Sequence, residues 1–408
     1  MKAELIAIGT ELVSGQTVDT NSAWLSVELA RLGHRVTKHH TVDDDLPAIR
    51  ACVAEATASA DVVIITGGLG PTADDLTREA LADGKLELNA ACLEQIRAFF
   101  RRLGREMSDS NQVQALMPSG AEPLANPLGT APGIFLKRGA SLVFALPGVP
   151  REMKAMFPEQ VAPRLPAGGG VMLTHALHAF GAGESDIGAR IADLMGRDAN
   201  PLVGTTAAGG RISIRLITRA ETERQADALA HGTMDEIRGR LGELVFGEGE
   251  DTLASVVGKL LKARGQTLAT AESCTGGLIG QEITAVPGAS SYYVGGVVAY
   301  ANEAKTAALG VPEPLIAEHG AVSEPVAAAM AAGCRLRLGA DWAVSVTGIA
   351  GPTGGTEEKP VGLVHIGVAG PGGAAAHRHV LPGSRELVRL RACRTALNLL
   401  RLALKHNS

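Results

Sequence analysis

The sequence contains few aromatic residues: Phe, Tyr and Trp together make up 3% of its 408 residues. Proteins that bind single-stranded nucleic acid use aromatic rings as platforms on which the bases stack. Basic residues are not in excess either, since 38 Lys and Arg stand against 43 Asp and Glu, giving a formal net charge of −5. Both deficits argue against binding to a nucleic-acid backbone, so no nucleic-acid partner is expected.

Long apolar runs and paired cysteines are also missing. No run reaches about 18 apolar residues, so no membrane span is expected. The start of the chain carries an early acid, Glu4, and no Ala-x-Ala cleavage site, which argues against a signal peptide. Five cysteines without a C-x-x-C pair favour neither a structural zinc site nor a disulfide framework. We therefore predict a cytoplasmic protein.

The composition that is present is typical of a globular protein, with 46% apolar and 20% charged residues. A chain of this length predicts two or three domains. Breaks rich in proline and glycine occur over residues 158–170 and again at 247–250. They place the predicted domain boundaries at residues 1–167, 168–248 and 249–408.

Hydrophobic spacing predicts α/β structure in the two outer segments and a smaller β-α-β-α unit between them. In the first segment, strands are predicted at residues 2–10, 35–42, 61–66, 133–137 and 142–146, and helices at 21–32, 47–58 and from 151. In the middle, strands are predicted at residues 171–180 and 211–218, and helices at 185–195 and 221–241. In the last segment, strands are predicted at residues 266–271, 294–299, 342–346 and 363–368, and helices at 252–264, 277–285 and 385–406.

The first candidate site is the loop T-G-G-L-G-P-T-A-D-D-L-T at residues 66–77, which follows the most apolar strand. Glycines at the carboxyl end of a strand let backbone N–H groups approach a phosphate closely, and Gly67, Gly68 and Gly70 are the candidates. The carboxylates of Asp74 and Asp75 repel a phosphate unless a divalent cation lies between the carboxylates and the phosphate. The alternative is a tight turn followed by an aspartate helix cap.

Polar residues follow other strands of the same segment. Glu11 and Asn21 come after the first strand, Asp43 after the second, and Glu152 follows a rigid L-P-G-V-P turn. Ligands bind at the carboxyl ends of strands in open α/β sheets, so these loops are candidates for one shared site. A run of three aspartates at 43–45 is also typical of the start of a helix.

These motifs resemble the molybdopterin-binding domain shared by molybdopterin adenylyltransferases. The segments I-G-T-E-L at 8–12, T-G-G-L-G-P-T-A-D-D at 66–75 and L-P-G-V-P-R-E-M at 146–153 further resemble the competence/damage-inducible CinA family. The resemblance implies hydrolysis of ADP-ribose to AMP and ribose 5-phosphate with a divalent metal, Mg²⁺ or Co²⁺. Asp75 and Asp43 then hold or position the metal, Asp74 and Glu152 assist, and the three glycines bind phosphate.

The second candidate site is A-E-S-C-T-G-G at residues 271–277, between a strand and a helix. A hydroxyl at Ser273 lies beside the N–H groups of Thr275, Gly276 and Gly277, which is the arrangement of a nucleophile next to an oxyanion site. Cys274 is an alternative nucleophile, and its spacing does not separate it from Ser273. A further alternative is that Ser273 only caps the helix while Cys274 fills the core.

A serine nucleophile needs a base. Lysines are scarce in this segment, and Lys305 follows a strand in Y-A-N-E-A-K, together with Tyr300. A lysine beside a serine can serve as the base if burial lowers its pKa.

The motifs E-S-C-T-G-G, Y-x-N-x-x-K, T-G-I-A-G-P at 347–352 and G-S-R at 383–385 resemble the nicotinamide mononucleotide deamidase PncC. The resemblance implies a Ser273–Lys305 pair supported by Tyr300, with no cofactor. The products are nicotinate mononucleotide and ammonia. Arg385 then suits the substrate phosphate, and Thr347, Gly348 and Gly351 the ribose or phosphate.

The resemblance implies an α/β chain of three domains. These are an N-terminal MogA/MoaB-like α/β sandwich, a small KH-like α+β middle domain and a C-terminal α/β deamidase domain. A homodimer acting on nicotinamide mononucleotide and ADP-ribose in pyridine nucleotide salvage is expected. The alternatives are a competence or recombination accessory protein, for which a basic surface is missing, and a molybdopterin-transfer enzyme, which rests on the fold of the first segment alone.

Overall fold

A computed structural model describes residues 1–406, which form two compact units. One unit comprises residues 1–173 with 218–228, and the other comprises residues 174–217 with the described residues from 229 onward. No helix within the described residues is long and apolar enough to span a membrane.

The helices are α1 (Thr10–Val13), α2 (Thr20–Arg31), α3 (Leu46–Ser59), α4 (Thr77–Leu81), α5 (Ala90–Arg102), α6 (Pro150–Met156), α7 (Glu184–Arg190), α8 (Glu223–Leu241), α9 (Leu253–Arg264), α10 (Leu278–Thr284), α11 (Asn302–Leu309), α12 (Glu313–His319), α13 (Glu324–Leu338) and α14 (Arg385–His406). The strands are β1 (Lys2–Ile8), β2 (Arg35–Val42), β3 (Val62–Thr66), β4 (Leu86–Leu88), β5 (Leu116–Pro118), β6 (Glu122–Leu124), β7 (Gly133–Arg138), β8 (Ser141–Leu146), β9 (Val171–Phe180), β10 (Leu202–Ala208), β11 (Arg211–Ala220), β12 (Val245–Glu248), β13 (Leu268–Glu272), β14 (Tyr293–Val298), β15 (Trp342–Gly348), β16 (Leu363–Gly370) and β17 (Gly373–Val380).

The first sheet has the strand order β2-β1-β3-β8-β7-β6, and β2, β1, β3 and β8 run parallel. Strand β3 is buried along its whole length, as expected of a parallel strand covered on both faces. One face packs on α3, α4 and α5, and the other on α2 and α6. The carboxyl ends of the parallel strands therefore meet at one edge of a three-layer α/β sandwich.

The middle sheet has the order β10-β11-β9-β12, so the predicted β-α-β-α unit is wrong in its strand count. The observed order of elements is β-α-β-β-α-β, with β10 and β12 added. Strand β10 reads L-V-G-T-T-A-A and β12 has four residues, so neither has the apolar alternation that identifies a strand. Strand β10 forms through its antiparallel ladder with β11 instead.

The third sheet has the order β14-β13-β15-β16-β17, in which β13 runs parallel to β14 and β15. One face packs on α9, α10 and α14, and the other on α11, α12 and α13. Because β14 and β13 are parallel neighbours, the loops that follow them lie side by side. These are the loops that begin with Ser273 and lead to Lys305.

The proline-rich break at 158–170 is only partly a linker. Residues Phe157–Val161 continue α6 as a π-helical turn, and Ala162–Arg164 form a 3₁₀ turn. Pro158 and Pro163 each occupy an early position of their turn, where a missing N–H is tolerated.

Candidate active sites

The glycine loop after β3 turns through backbone conformations that favour glycine. Gly67 has a φ of 100°, and a Cβ atom there would lie 2.3 Å from the carbonyl oxygen of Ile8. The hydroxyl of Thr77, at the start of α4, donates to the Gly67 carbonyl at 2.8 Å. The loop is therefore pressed against the end of β1, which requires glycine at position 67.

Asp75 folds back onto this loop. Its carboxylate accepts the N–H groups of Gly70 at 2.7 Å and Thr72 at 2.9 Å, and it also accepts the Thr72 hydroxyl. Asp74 is exposed, and its hydrogen bond with Thr72 lowers the pKa of its carboxyl. Asp75 thus organises the loop as well as facing the space in front of it.

A cavity of about 450 Å³ opens in front of the loop. Seven of the predicted site residues line it: Glu11, Gly67, Gly68, Gly70, Asp74, Asp75 and Glu152. Asn126 donates to the Glu152 carboxylate at 2.7 Å and fixes its position. Asn21 is not a lining residue, but its side chain donates to the Gly148 carbonyl at 2.8 Å and so holds the turn after β8 at the cavity rim.

The three aspartates at 43–45 make different contacts. Asp43 is not among the described residues that line the cavity, and its carboxylate accepts the Thr10 hydroxyl at 2.5 Å. Asp44 lines the cavity and accepts the Thr10 N–H at 2.8 Å. Asp45 caps α3 through the Ala48 N–H at 3.0 Å. The alternative that the run at 43–45 marks the start of a helix therefore applies to Asp45, while Asp43 and Asp44 anchor the start of α1.

The cavity offers carboxylates from several loops. They belong to Glu11, Asp44, Asp74, Asp75 and Glu152. Carboxylate oxygens are the ligands that Mg²⁺ prefers, and such a site often keeps several waters. The donor set is of the chemical type that a hard divalent cation takes, although within the described residues no three of these carboxylates bring ligand atoms within 4.8 Å of one another.

In the second site, Lys305 Nζ lies 3.3 Å from Ser273 Oγ. Ser273 is 8% exposed and Lys305 1% exposed. The Lys305 amino group also donates to the carbonyl oxygens of Ala299 and Tyr300, each at 3.1 Å. The Ser273 N–H donates to the Val346 carbonyl at 2.9 Å, which ties the serine at the end of β13 to the neighbouring strand β15. A buried amine and a buried hydroxyl are thus in contact.

Burial changes the acidity of both candidate groups beside Ser273. It lowers the pKa of Lys305, because an ammonium loses hydration in the protein interior. It raises the pKa of the Cys274 thiol to about 11, so this cysteine is a thiol and not a thiolate at neutral pH. Cys274 also packs in the hydrophobic core of the third sheet. Of the two nucleophile alternatives, the environment favours Ser273.

The Tyr300 side chain makes no hydrogen bond with Lys305 within the described residues. This side chain is 61% exposed, and its hydroxyl accepts from the Arg385 guanidinium at 3.0 Å. Arg385 also donates to the Gly351 carbonyl at 2.8 Å. The structure therefore brings Tyr300, Arg385 and the Gly351 loop together, while Lys305 contacts Tyr300 through the backbone carbonyl only.

Two further predicted substrate residues make close contacts within the protein. The buried Thr347 donates its hydroxyl to the Ala321 carbonyl at 2.8 Å. A Cβ atom at Gly348 would lie 2.6 Å from the Leu363 carbonyl, so glycine is needed there for the contact with β16.

Two of the three N–H groups predicted to face an oxyanion are already engaged. Gly276 N–H donates to the Ser273 carbonyl at 3.1 Å, and Gly277 N–H donates to the Glu272 carboxylate at 3.0 Å. Among the hydrogen bonds of the described residues, none uses the N–H of Cys274 or of Thr275. These two neighbouring groups remain available beside Ser273.

Three family models match the chain. Residues 4–167 match the family described as "Probable molybdopterin binding domain", and residues 174–247 match the "Damage-inducible protein CinA KH domain". Residues 250–404 match the "CinA C-terminal domain". A CinA-like protein of Anaeromyxobacter sp. (strain K) is 45% identical over 99% of this chain and 100% of its own length. The chain belongs to the CinA family. A CinA-like protein of Gloeobacter violaceus is also 45% identical, over 98% of this chain and 96% of its own.

Among solved structures, the competence/damage inducible protein CihA from Agrobacterium tumefaciens is 42% identical. It covers 38% of this chain and 93% of its own, with a TM-score of 0.37. The family matches confirm the predicted CinA fold class: a molybdopterin-binding-like domain, a KH domain and a CinA C-terminal domain, in that order.

Three residues of this CinA-family chain contribute to the sites although sequence reasoning missed them. Arg78 is buried and donates to the carbonyls of Leu69 and Gly70 at 2.8 and 2.7 Å. Arg389 donates to the Thr275 carbonyl at 2.8 Å, and Asp44 lines the first cavity. Arg78 and Arg389 lie outside the recognised motifs, so spacing alone gave no signal for them.

Proposed function

We propose that the second site hydrolyses the carboxamide of nicotinamide mononucleotide, giving nicotinate mononucleotide and ammonia. The contact between Lys305 Nζ and Ser273 Oγ at 3.3 Å supports this most directly. A serine is nucleophilic only when a neighbouring group takes its proton. Burial lowers the Lys305 pKa and so raises the fraction of neutral amine that can accept it.

In the first half of the reaction, Ser273 Oγ attacks the carboxamide carbon while its proton moves to Lys305 Nζ. The resulting oxyanion re-forms the carbonyl as the C–N bond breaks, and Lys305 returns the proton to the leaving nitrogen, which departs as ammonia. In the second half, Lys305 takes a proton from water as the hydroxide attacks the ester carbon. Ser273 then leaves with the proton from Lys305, and the acid product is released.

The backbone of the serine loop supplies the groups that stabilise the oxyanion. The N–H of the residue after a nucleophile is the usual donor in strand-to-helix turns. Here the N–H groups of Cys274 and Thr275 are the ones that make no other hydrogen bond within the described residues. We propose Arg385 as the donor to the substrate phosphate, because its guanidinium is exposed at the start of α14 and is held by Tyr300 and Gly351.

The test is ammonia release from nicotinamide mononucleotide by the purified full chain in the presence of a chelator. We expect turnover without added metal, because the proposed chemistry uses only protein groups. No ammonia at millimolar substrate would contradict the proposal.

We further propose that the first site hydrolyses ADP-ribose to AMP and ribose 5-phosphate. The cavity of about 450 Å³ supports it, because glycine-loop backbone and five carboxylates line the same space. A bound divalent cation would neutralise charge on the pyrophosphate. We propose that carboxylates among those lining the cavity, from Asp44, Asp74, Asp75, Glu11 and Glu152, would hold it, and that the backbone of Gly67, Gly68 and Gly70 would bind phosphate.

This second activity is tested by AMP release from ADP-ribose with Mg²⁺ or Co²⁺. Asp74→Asn should lower the rate and weaken metal binding measured by calorimetry, because Asp74 is exposed at the cavity and the change removes one carboxylate charge. Asp43→Asn should act more weakly, since Asp43 contacts Thr10 outside the cavity. Equal activity in all three proteins would contradict the assignment of this cavity.

Two other functions are less well supported. A molybdopterin-transfer activity has the fold of residues 4–167 in its favour but no further observation. A competence accessory role requires binding to DNA, and the net charge of −5 does not favour it. Assays for adenylyl transfer to molybdopterin and for salt-dependent DNA binding separate both from the proposed hydrolases.

A further inference from the structure

We infer that Glu272 is a positioning residue for the deamidation, an inference that rests on the proposed function of the second site. Glu272 is the last residue of β13 and immediately precedes Ser273. Its side chain is 1% exposed and makes no ion pair within the described residues. A buried carboxylate without a cation needs strong hydrogen bonds, and their donors show what the residue does.

The donors are three backbone N–H groups from the turn and helix that follow the nucleophile. Gly277 and Ile279 donate to Oε2 at 3.0 Å each, and Gly280 donates to Oε1 at 2.9 Å. Hydrogen bonds to an ionised acceptor are roughly twice as strong as neutral ones. One carboxylate therefore holds the start of α10 from the side of the sheet.

This contact decides which backbone groups face the reacting carbonyl. Gly277 adopts a φ of 95°, a conformation that glycine tolerates, with its N–H turned onto Glu272. Gly276 N–H turns back to the Ser273 carbonyl at 3.1 Å. The N–H groups of Cys274 and Thr275 are the two in this turn that make no hydrogen bond within the described residues. Arg389 holds the other side of the same turn through the Thr275 carbonyl.

The backbone of Glu272 also reaches the base. Its carbonyl accepts the N–H of Ala299 at 2.8 Å, and the carbonyl of Ala299 accepts from Lys305 Nζ at 3.1 Å. The side chain thus sets the oxyanion donors, while the main chain of the same residue ties β13 to the loop that carries Lys305. Glu272 touches neither Ser273 Oγ nor Lys305 Nζ, so it acts through the loop.

The deciding variant is Glu272→Gln, which keeps the shape but replaces one acceptor oxygen with an NH₂ group that faces a donor. We expect kcat for ammonia release to fall about 10- to 100-fold with KM within about threefold, because misplaced oxyanion donors act on the transition state and not on substrate binding. The acid limb of the pH profile should keep its midpoint, because Glu272 is not among the causes that shift the Lys305 pKa. These causes are burial first, and then the charges of Cys274 and Glu303.

Glu272→Asp retains the charge with a shorter reach, and we expect its kcat to lie between those of the wild type and Glu272→Gln. Glu318→Gln, exposed on α12, is the matched control and should match the wild type. Thermal unfolding is measured for all variants, and if Glu272→Gln does not fold, Glu272→Asp decides by the same kcat and KM criteria. Wild-type kcat in the folded Glu272 variants would overturn this inference and leave the proposed function standing. A wild-type chain without deamidase activity would instead overturn the proposed function beneath it.

Discussion

Ser273 and Lys305 are 32 positions apart in the chain, and their Oγ and Nζ atoms lie 3.3 Å from each other. The distance follows from the sheet, because β13 and β14 are parallel neighbours and both residues follow the carboxyl ends of these strands. Since the amine is held by two backbone carbonyls as well, its direction is fixed before any substrate arrives.

Replacement of Ser273 by alanine should reduce ammonia release from nicotinamide mononucleotide by about 10³-fold or more, because the nucleophile is lost. Cys274→Ala is the matched comparison and should keep kcat within about threefold. Burial raises the pKa of this thiol to about 11, so it is not an attacking thiolate at neutral pH. A dead Cys274→Ala protein beside an active Ser273→Ala protein would reverse the assignment.

The deamidase should gain activity as the pH rises. In the proposed mechanism the neutral amine of Lys305 is the base, and burial lowers its pKa below 10.5, the ordinary value for lysine. Below the lowered pKa the group is an ammonium and activity is lost; above it the amine is free. We expect kcat/KM to follow one ionisation with a midpoint below 10.5, measured with the substrate in a constant-ionic-strength buffer series.

Lys305→Arg is the control for this profile, because a guanidinium keeps the charge and the donors but does not lose a proton. Its activity should fall about 10²- to 10⁴-fold, the usual contribution of a general base. A midpoint at or above 10.5 in the wild type, or an active arginine variant, would show that Lys305 is not the base.

Arg78→Ala should destabilise the first unit by about 2–4 kcal/mol, because one buried and one partly buried carbonyl lose their donor and a cavity remains. These carbonyls belong to Leu69 and Gly70 in the glycine loop, so ADP-ribose hydrolysis should fall as well. Arg97→Ala, exposed on α5, is the control and should change neither quantity. Urea unfolding and AMP release measure the two effects, and an unchanged Arg78→Ala protein would exclude a role in bracing the loop.

Arg394→Ala should loosen the turn between β10 and β11 while leaving the deamidase active. The Arg394 guanidinium donates to the carbonyls of Ala208 and Gly209 at 2.7 and 2.9 Å, and loss of both bonds should cost about 1.5–3 kcal/mol. Hydrogen exchange should become faster for the amides of β10, with kcat within about twofold of the wild type. The control is Arg197→Ala, an exposed residue in the segment between α7 and β10. Unchanged exchange in Arg394→Ala would show that this contact does not hold the turn.

Several elements were readable from the sequence because their signal is local. The strand Arg35–Val42 and the helix Arg385–His406 have the predicted bounds, and the apolar strand before the glycine loop differs by one residue. Helices α5, α11, α12 and α13 received no prediction. In α13 alanine dominates, so apolar residues occur all around the helix and leave no clear stripe.

The sequence alone identified which loops are candidates for chemistry, because glycines, aspartates and a serine–lysine pattern at strand ends are local features and parallel strands bring their ends together. Only the tertiary structure decided what each side chain does there. It buried Cys274 and left Ser273 beside Lys305, turned Tyr300 toward Arg385, placed Asp44 and not Asp43 at the cavity, and set Glu272 under the serine loop. Side-chain direction and burial depend on neighbours distant in the chain, and adjacent residues of similar chemistry differ only in those neighbours.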